Sequence, residues 1–233
     1  MHDVLQKKFL YAKYKIKNRL KKINTLKRLI HKEVNPYTAL NRDNGYVFIQ
    51  VPRTASTAIS RALGESDRRH KKAVWYERYN QQLFEHLYTF SIVRNPWDRI
   101  HSAFCFLKNG GANALDNEWA TRNISNCSTF EQFVLNLEQE SFKERVLSWT
   151  HFTPQTRFIS DSTGDVKIDY IGKFEHIDAA IQIINEKVHF KNDIQALNKS
   201  HKKSYKKVYT NEMIDVVNRV YKKDIEKLDY TFI

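Results

Sequence analysis

Two short segments hold the side chains best suited to chemistry: Val47–Ala58, reading VFIQVPRTASTA, and Phe90–Ser102, reading FSIVRNPWDRIHS. In each, an apolar run feeds a polar turn that opens onto a helix. The first turn offers Arg53, Thr54, Ser56 and Thr57 around the small Ala55, and the second offers Arg94 and, further along, Ser102. Helix starts present N–H groups without intrahelical partners and carry partial positive charge, so hydroxyls and arginines gathered there suit an anion. Ser102 lies about two helical turns beyond Arg94, within reach of the same anionic group. Two such turns in one small domain predict one ligand with two separate anionic groups. A nucleotide phosphorylated at both ends of its ribose would fit. The GxxxxGK[ST] pattern of a Mg-ATP loop is absent.

These turns need strands ahead of them and helices behind. Tyr46–Val51 is nearly all apolar, which predicts a strand buried on both faces of a parallel sheet. Thr57–Leu63 is expected to be helical, Glu65–Lys72 a polar connection and Ala73–Leu87 helix-compatible, ahead of a second strand at Tyr88–Val93. Asn95 as N-cap and Pro96 at the first helical position predict a helix over Pro96–Leu107. Asn109–Asn126 reads as a loop, and Ser128 with Glu131 has capping-box spacing before a helix to about Leu137. Val166–Phe174 reads as a strand, Asp178 starts a helix to about Val188, and Thr210 or Asn211 caps a last one through Leu228. Strands alternating with helices predict an α/β fold with a mainly parallel sheet.

The chain of 233 residues carries a net charge of +13, concentrated at its start. Residues 1–33 hold eleven Lys/Arg against Asp3 and Glu33, which leaves the remainder only mildly basic. Leu5, Phe9, Ala12, Ile16, Leu20, Ile23, Leu26 and Ile30 recur at helical spacing among those cations, so residues 1–35 are expected to form a basic amphipathic helix appended to a domain over 36–233. Such a helix suits an anionic membrane surface or polyanionic glycan, and equally packing on its own domain or on a second subunit. No apolar run is long enough to span a bilayer, and no secretory signal is evident. Cys105 and Cys127 are too few for a disulfide scaffold and badly spaced for zinc. A cytoplasmic location, peripheral at the inner membrane surface if the helix binds lipid, is the resulting expectation. Neither a basic stripe on the domain nor spaced aromatic platforms favour a nucleic-acid partner.

At this point the sequence resembles a known family. Val51-Pro-Arg-Thr-Ala-Ser-Thr57 looks like the 5′-phosphosulfate loop of sulfotransferases, and Val93-Arg-Asn-Pro-Trp-Asp-Arg99 with Ser102 looks like their 3′-phosphate motif. The resemblance is closest to the carbohydrate, family 2-like branch, with its uronyl 2-O-type, chondroitin-type and bacterial members. His151-Phe-Thr-Pro-Gln155, Ile168–Glu175 and Asn198-Lys-Ser200 followed by Tyr205 and Tyr209 agree with it. It implies a P-loop-like three-layer sandwich and 3′-phosphoadenosine 5′-phosphosulfate (PAPS) as donor, with 3′-phosphoadenosine 5′-phosphate (PAP) as product. It also implies a carbohydrate acceptor and no metal. By the same resemblance Arg53, Thr54, Ala55, Ser56, Thr57 and Ala58 would hold the 5′-phosphosulfate, and Arg94 with Ser102 the 3′-phosphate. Lys199, Ser200 and Lys203 would lie in a loop over the nucleotide, and His151 and Gln155 on the acceptor side. One position departs: the family usually has lysine where this chain has Arg53, whose guanidinium keeps the charge but hardly gives up a proton.

An acceptor hydroxyl needs a general base, for which histidine is the natural residue near neutral pH. His70 is the favoured candidate, in a region where related enzymes place an acceptor-side histidine; His86 and Glu77 are the runners-up. Arg53 would offset charge on the departing oxygen. Two other classes stay open on the residues alone. One is a non-catalytic binder of anionic polymers using residues 1–33; the other is a nucleotide kinase of related fold, disfavoured by the missing GK[ST].

Overall fold

A computed structural model of the protein describes residues 35–65, 70–192 and 205–232. The expected basic helix over 1–35 therefore lies outside the described residues, apart from Asn35. Three strands, β1 (Tyr46–Ile49), β2 (Tyr88–Val93) and β3 (Tyr170–Lys173), form one parallel sheet in the order β1-β2-β3. Tyr46 sits opposite Tyr88 and Phe48 opposite Phe90, while Phe90 and Ile92 face Tyr170 and Gly172 across the other edge. Parallel neighbours require crossovers, and these supply the helices on the sheet.

Alternation along the strands sends side chains to two apolar clusters. Tyr46, Phe48, Phe90 and Ile92 pack with Ile59 and Leu63 after β1 and with Ala180, Ile184 and Val188 of the helix Ile177–Val188. Phe48 and Phe90 stack with centroids 5.0 Å apart. Val47, Ile49, Val51 and Val93 point the other way, into the larger cluster with Trp97, Ile100, Phe133, Phe152 and Tyr221. Gly172 permits the close seat of the Ile177–Val188 helix, because a Cβ there would stand 2.6 Å from both Ala180 Cβ and Ile92 Cδ1. The entry to β3 is fixed by Asp169, whose Oδ2 accepts both the N–H and the hydroxyl of Thr89 at 2.7 Å.

The second strand matches its expected span, and Asn95 caps Pro96–Lys108 by accepting from Trp97 and Asp98 N–H groups. Several boundaries differ. β1 ends at Ile49 rather than Val51; Gln50 and Val51 lie outside the ladder and lead into the turn Pro52–Ala55. The stretch Ala73–Leu87 is broken at Asn80, whose extended backbone ends Ala73–Tyr79 and whose side chain caps Gln81–His86. Asn109–Asn126 is not a loop: it contains the helix Ala114–Ile124, capped by Asn113. The capping pair near Ser128 sits one residue later, with Thr129 accepting from Gln132 N–H and Gln132 Oε1 accepting from Ser128 N–H. Residues 166–169 precede β3 outside the strand, and Val166 forms an isolated bridge with Ser160. The last helix divides at Tyr221 into Asn211–Val220 and Lys222–Lys227. Helix Glu140–Ser148 lies ahead of His151–Asp165, and that stretch, expected as a loop, contains the short helix Thr156–Ile159.

Candidate active site

Because β1 and β2 run parallel in register, their carboxyl ends lie at the same sheet edge, where α/β sheets take ligands. The turn after β1 passes through left-handed backbone at Arg53 (φ 69°) and Ala55 (φ 63°). Arginine and alanine rarely adopt this region, and strain of this kind clusters at functional sites. Thr54 is fully buried, and its hydroxyl donates to the Val51 carbonyl at 2.9 Å, closing the turn. Ala55 precedes the helix Ser56–Ala62, whose start has no side-chain cap. Its first N–H groups are of the kind that lack intrahelical partners.

The two turns meet through their arginines. Arg53 Nε and Nη2 donate to Ser102 Oγ at 3.3 and 3.1 Å, while Arg94 Nη1 donates to the Arg53 carbonyl at 3.1 Å. Arg53 lies over the Phe106 ring at 4.2 Å and Arg94 over the Phe174 ring at 4.4 Å, so each guanidinium has an aromatic face beneath it. Arg94 Nε also donates to Asp98 Oδ2 at 2.8 Å. Burial, and then the charge of Arg94, bring the Arg53 guanidinium down to about 10, which still leaves it charged at neutral pH. Ser102 thus partners Arg53 directly, where the sequence had paired it with Arg94. Asp98 pairs with Arg94 rather than with its neighbour Arg99.

Arg99 is instead 1% exposed and grips the next segment, donating to the carbonyls of His151 and Thr153 at 3.1 and 2.8 Å. Gln155 is buried in full: its Oε1 accepts from Arg94 N–H at 2.9 Å and its Nε2 donates to the Arg94 carbonyl at 2.7 Å. The expectation that Gln155 faces an acceptor is corrected accordingly. Both ends of its amide are committed to holding the backbone that presents Arg94. Its own N–H donates to the buried Asp224, which also takes the N–H and hydroxyl of Thr156.

His70 and His151 form the remaining wall. His70 Nδ1 lies 3.0 Å from the Gln50 carbonyl, which can only accept, so the proton is on Nδ1 and the lone pair on Nε2. Burial holds the His70 pKa below its ordinary value, partly offset by the Gln50 carbonyl and by Asp116. His151 stands edge-on to His70, with centroids 6.4 Å apart, and edge-on to Phe106 at 5.0 Å. Its Nε2 lies 3.2 Å from Asp116 Oδ1. Burial, in the main, brings the His151 pKa down to about 4, against the opposing pull of Asp116.

Other candidates lie elsewhere. Glu77 accepts from Ser162 N–H at 2.8 Å and so ties down the segment before β3. His86 is exposed at the end of its helix. Lys199, Ser200 and Lys203 fall outside the described residues. A cleft of about 470 Å³ between Pro154–Ser160 and Arg219–Lys227 contains none of the side chains of the two turns. Among the described residues, no three His, Cys, Asp or Glu side chains converge as a metal site requires, and no helix is long and apolar enough to cross a membrane. Asp116 and Phe106 went unnoticed in the sequence. The Asn113-x-x-Asp116 capping spacing behind Gly110-Gly111 was the available signal for the first; nothing marked the second.

Searches of curated proteins and of solved structures return no match. Family models do: the two turns and the elements that carry them fall within residues 36–231, which match the model described as the sulfotransferase family, and the chain belongs to that family.

Proposed function

We propose that this sulfotransferase takes PAPS as donor and a carbohydrate hydroxyl as acceptor. The observation that carries the donor reading is the contact of Arg53 with Ser102 and of Arg94 with the Arg53 carbonyl. It sets two guanidinium groups, a hydroxyl and an uncapped helix start at one sheet edge, a donor set that fits a ligand anionic at both ends. When bound, the nucleotide supplies the activated sulfuryl group.

The chain's own residues then divide the work. Arg94 and Ser102 hold the 3′-phosphate, while the Thr54–Ala58 backbone and the Ser56 and Thr57 hydroxyls hold the 5′ end; the Thr54 hydroxyl, expected among them, is instead committed to the Val51 carbonyl. Gln155 fixes the backbone of Arg94. Arg53 stays protonated at neutral pH and offsets negative charge by donating hydrogen bonds, without releasing its proton. His70, neutral and with its lone pair on Nε2, accepts the proton of the acceptor hydroxyl. His86 and Glu77 are set aside for this role, since His86 is exposed at the end of its helix and Glu77 is bonded to Ser162 N–H.

The carbohydrate acceptor, the bacterial affiliation and the three-layer P-loop-like architecture rest on the resemblance of the two turns and of His151–Gln155 to the carbohydrate branch. Residues 1–35 complete the proposal as an appendage contacting anionic lipid or glycan, with Lys199, Ser200 and Lys203 as further contacts to the 3′-phosphate. Thermal stabilisation by PAP but not by Mg-ATP, followed by donor-dependent sulfate labelling of a glycan panel, tests the reading. Stabilisation by Mg-ATP alone would refute it, since a ligand stabilises the state it binds.

A further inference from the structure

We propose that Asp116, on the helix Ala114–Ile124, is a positioning residue that, through His151, sets the wall on which His70 and Arg53 stand. Its catalytic consequence rests on the function proposed above. Asp116 is 4% exposed, and its two oxygens divide their work: Oδ1 faces His151 Nε2 at 3.2 Å and Oδ2 accepts from Ala112 N–H at 3.0 Å. The backbone is shaped around it. Gly111 has φ 69°, and a Cβ there would lie 2.2 Å from Asp116 Cβ, so the turn closes on the carboxylate only because residue 111 is glycine. Asn113 caps the helix by accepting from Asp116 N–H at 3.0 Å, which fixes the carboxylate in the first helical turn.

A carboxylate can only accept, so the His151 proton sits on Nε2 and the lone pair on Nδ1. His151 Nδ1 is buried and has no hydrogen-bond partner, so nothing else in the described residues selects this tautomer. His151 in turn meets His70 edge-on and Phe106 edge-on, and Phe106 is the ring beneath the Arg53 guanidinium. The charged and titratable groups facing this wall are Arg53, His70, His151 and Asp116, with Arg94 and Cys105 beyond Arg53. Asp116 is the carboxylate that opposes the loss of positive charge at Arg53, His70 and His151 alike.

Asparagine at this position cannot reproduce the arrangement. With its carbonyl toward Ala112 N–H, its amide donates to His151 and drives the proton onto a buried Nδ1 that has no acceptor. Turned the other way, its amide confronts the Ala112 N–H. The test begins with nitrogen NMR of the imidazoles in the wild-type chain without substrate. The expected result is opposite neutral tautomers at pH 7: His151 protonated on Nε2 and His70 on Nδ1. A His151 proton on Nδ1 overturns the proposal, whether or not any variant folds.

In Asp116→Asn, loss of the negative charge should lower the His70 pKa below its wild-type value. The acid limb of sulfotransfer should move with it, and kcat should fall roughly 100-fold while donor Kd stays within about threefold. A merely structural defect would loosen the wall, admit water and raise the His70 pKa toward its ordinary value; a rise or no change therefore also overturns the proposal. The tautomers and the titration need no acceptor. Absence of sulfotransfer would thus count against the proposed function, while these two measurements still decide the role of Asp116.

Discussion

Replacing Arg94 by alanine separates donor recognition from everything else the domain does. In the free protein the side chain makes three contacts: the ion pair with Asp98 at 2.8 Å, the bond to the Arg53 carbonyl at 3.1 Å and the stack on Phe174 at 4.4 Å. The Asp98 pair is local and partly exposed, so it contributes under about 1 kcal/mol. The bond to the Arg53 carbonyl is charge-assisted and contributes about 1.5–3 kcal/mol. The apo variant should therefore lose roughly 1.5–4 kcal/mol and remain folded. Truncating one partner of a desolvated, hydrogen-bonded charge pair costs about 2–5 kcal/mol of binding. Affinity for PAP should then fall between roughly 30-fold and several thousandfold. Calorimetry with PAP and with 5′-AMP gives the decisive comparison, because 5′-AMP lacks the 3′-phosphate assigned to Arg94. A Kd for PAP within about threefold of wild type would refute the assignment, as would an equal loss for both nucleotides.

Other perturbations probe the supports. His70→Ala should abolish sulfotransfer while leaving PAP affinity intact; retained turnover would move the base elsewhere. His70, His101 and His151 all have pKa values lowered by burial, so the unfolded chain binds more protons than the folded one below the ordinary histidine range. Stability should thus be full above about pH 6.5 and decline as pH falls toward about 4, the value brought about at His151, which melting curves across that window will show. Gln155→Leu strips two part-buried backbone groups of Arg94 of their partners, at up to about 1–3 kcal/mol each. It should lower the melting temperature and weaken PAP binding together, and a drop in stability with unchanged PAP affinity would detach Gln155 from the site. Gly172→Ala should destabilise by about 1–3 kcal/mol through overpacking against Ala180 and Ile92, measured by chemical denaturation, with donor affinity unchanged.

The sequence was most legible where local chemistry and apolar patterning coincide. Tyr88–Val93 is a buried strand on both faces, and Asn95-Pro96 is an unambiguous helix start, so the second turn could be placed almost to the residue. Its pairing could not. Ser102 is helically spaced from Arg94, yet it bonds Arg53, because parallel register brings the first turn alongside a helix that begins about forty residues later in the chain. No local spacing encodes that. Asp98 and Arg99 are adjacent in sequence but, about 100° apart on their helix, meet different partners: one reaches Arg94 at the sheet edge, the other the carbonyls of His151 and Thr153 in the core. The helix Ala114–Ile124 was hidden by its polar composition and by the two glycines before it. Its buried residues are few, Asp116, Ala120 and Ile124, too sparse for an apolar stripe. Asp116 went unseen with it.

Arg53 is where the two turns become one device. Its left-handed backbone costs roughly 1–2 kcal/mol for a residue with a side chain. The bond from Arg94 to its carbonyl offsets that cost, so the second turn helps hold the first in shape. Its side chain, meanwhile, spends two N–H groups on one neutral hydroxyl, Ser102 Oγ. Hydrogen bonds to an anion are about twice as strong as those to a neutral group. An anionic ligand can therefore compete for those N–H groups at little net cost, while Ser102, which only accepts them, keeps its own O–H to donate to the same ligand. A lysine at this position would be a single mobile point of charge, without the planar stack on Phe106 or the fork that spans to Ser102. The arginine thus offers a charge already set over the Phe106 ring before the ligand arrives.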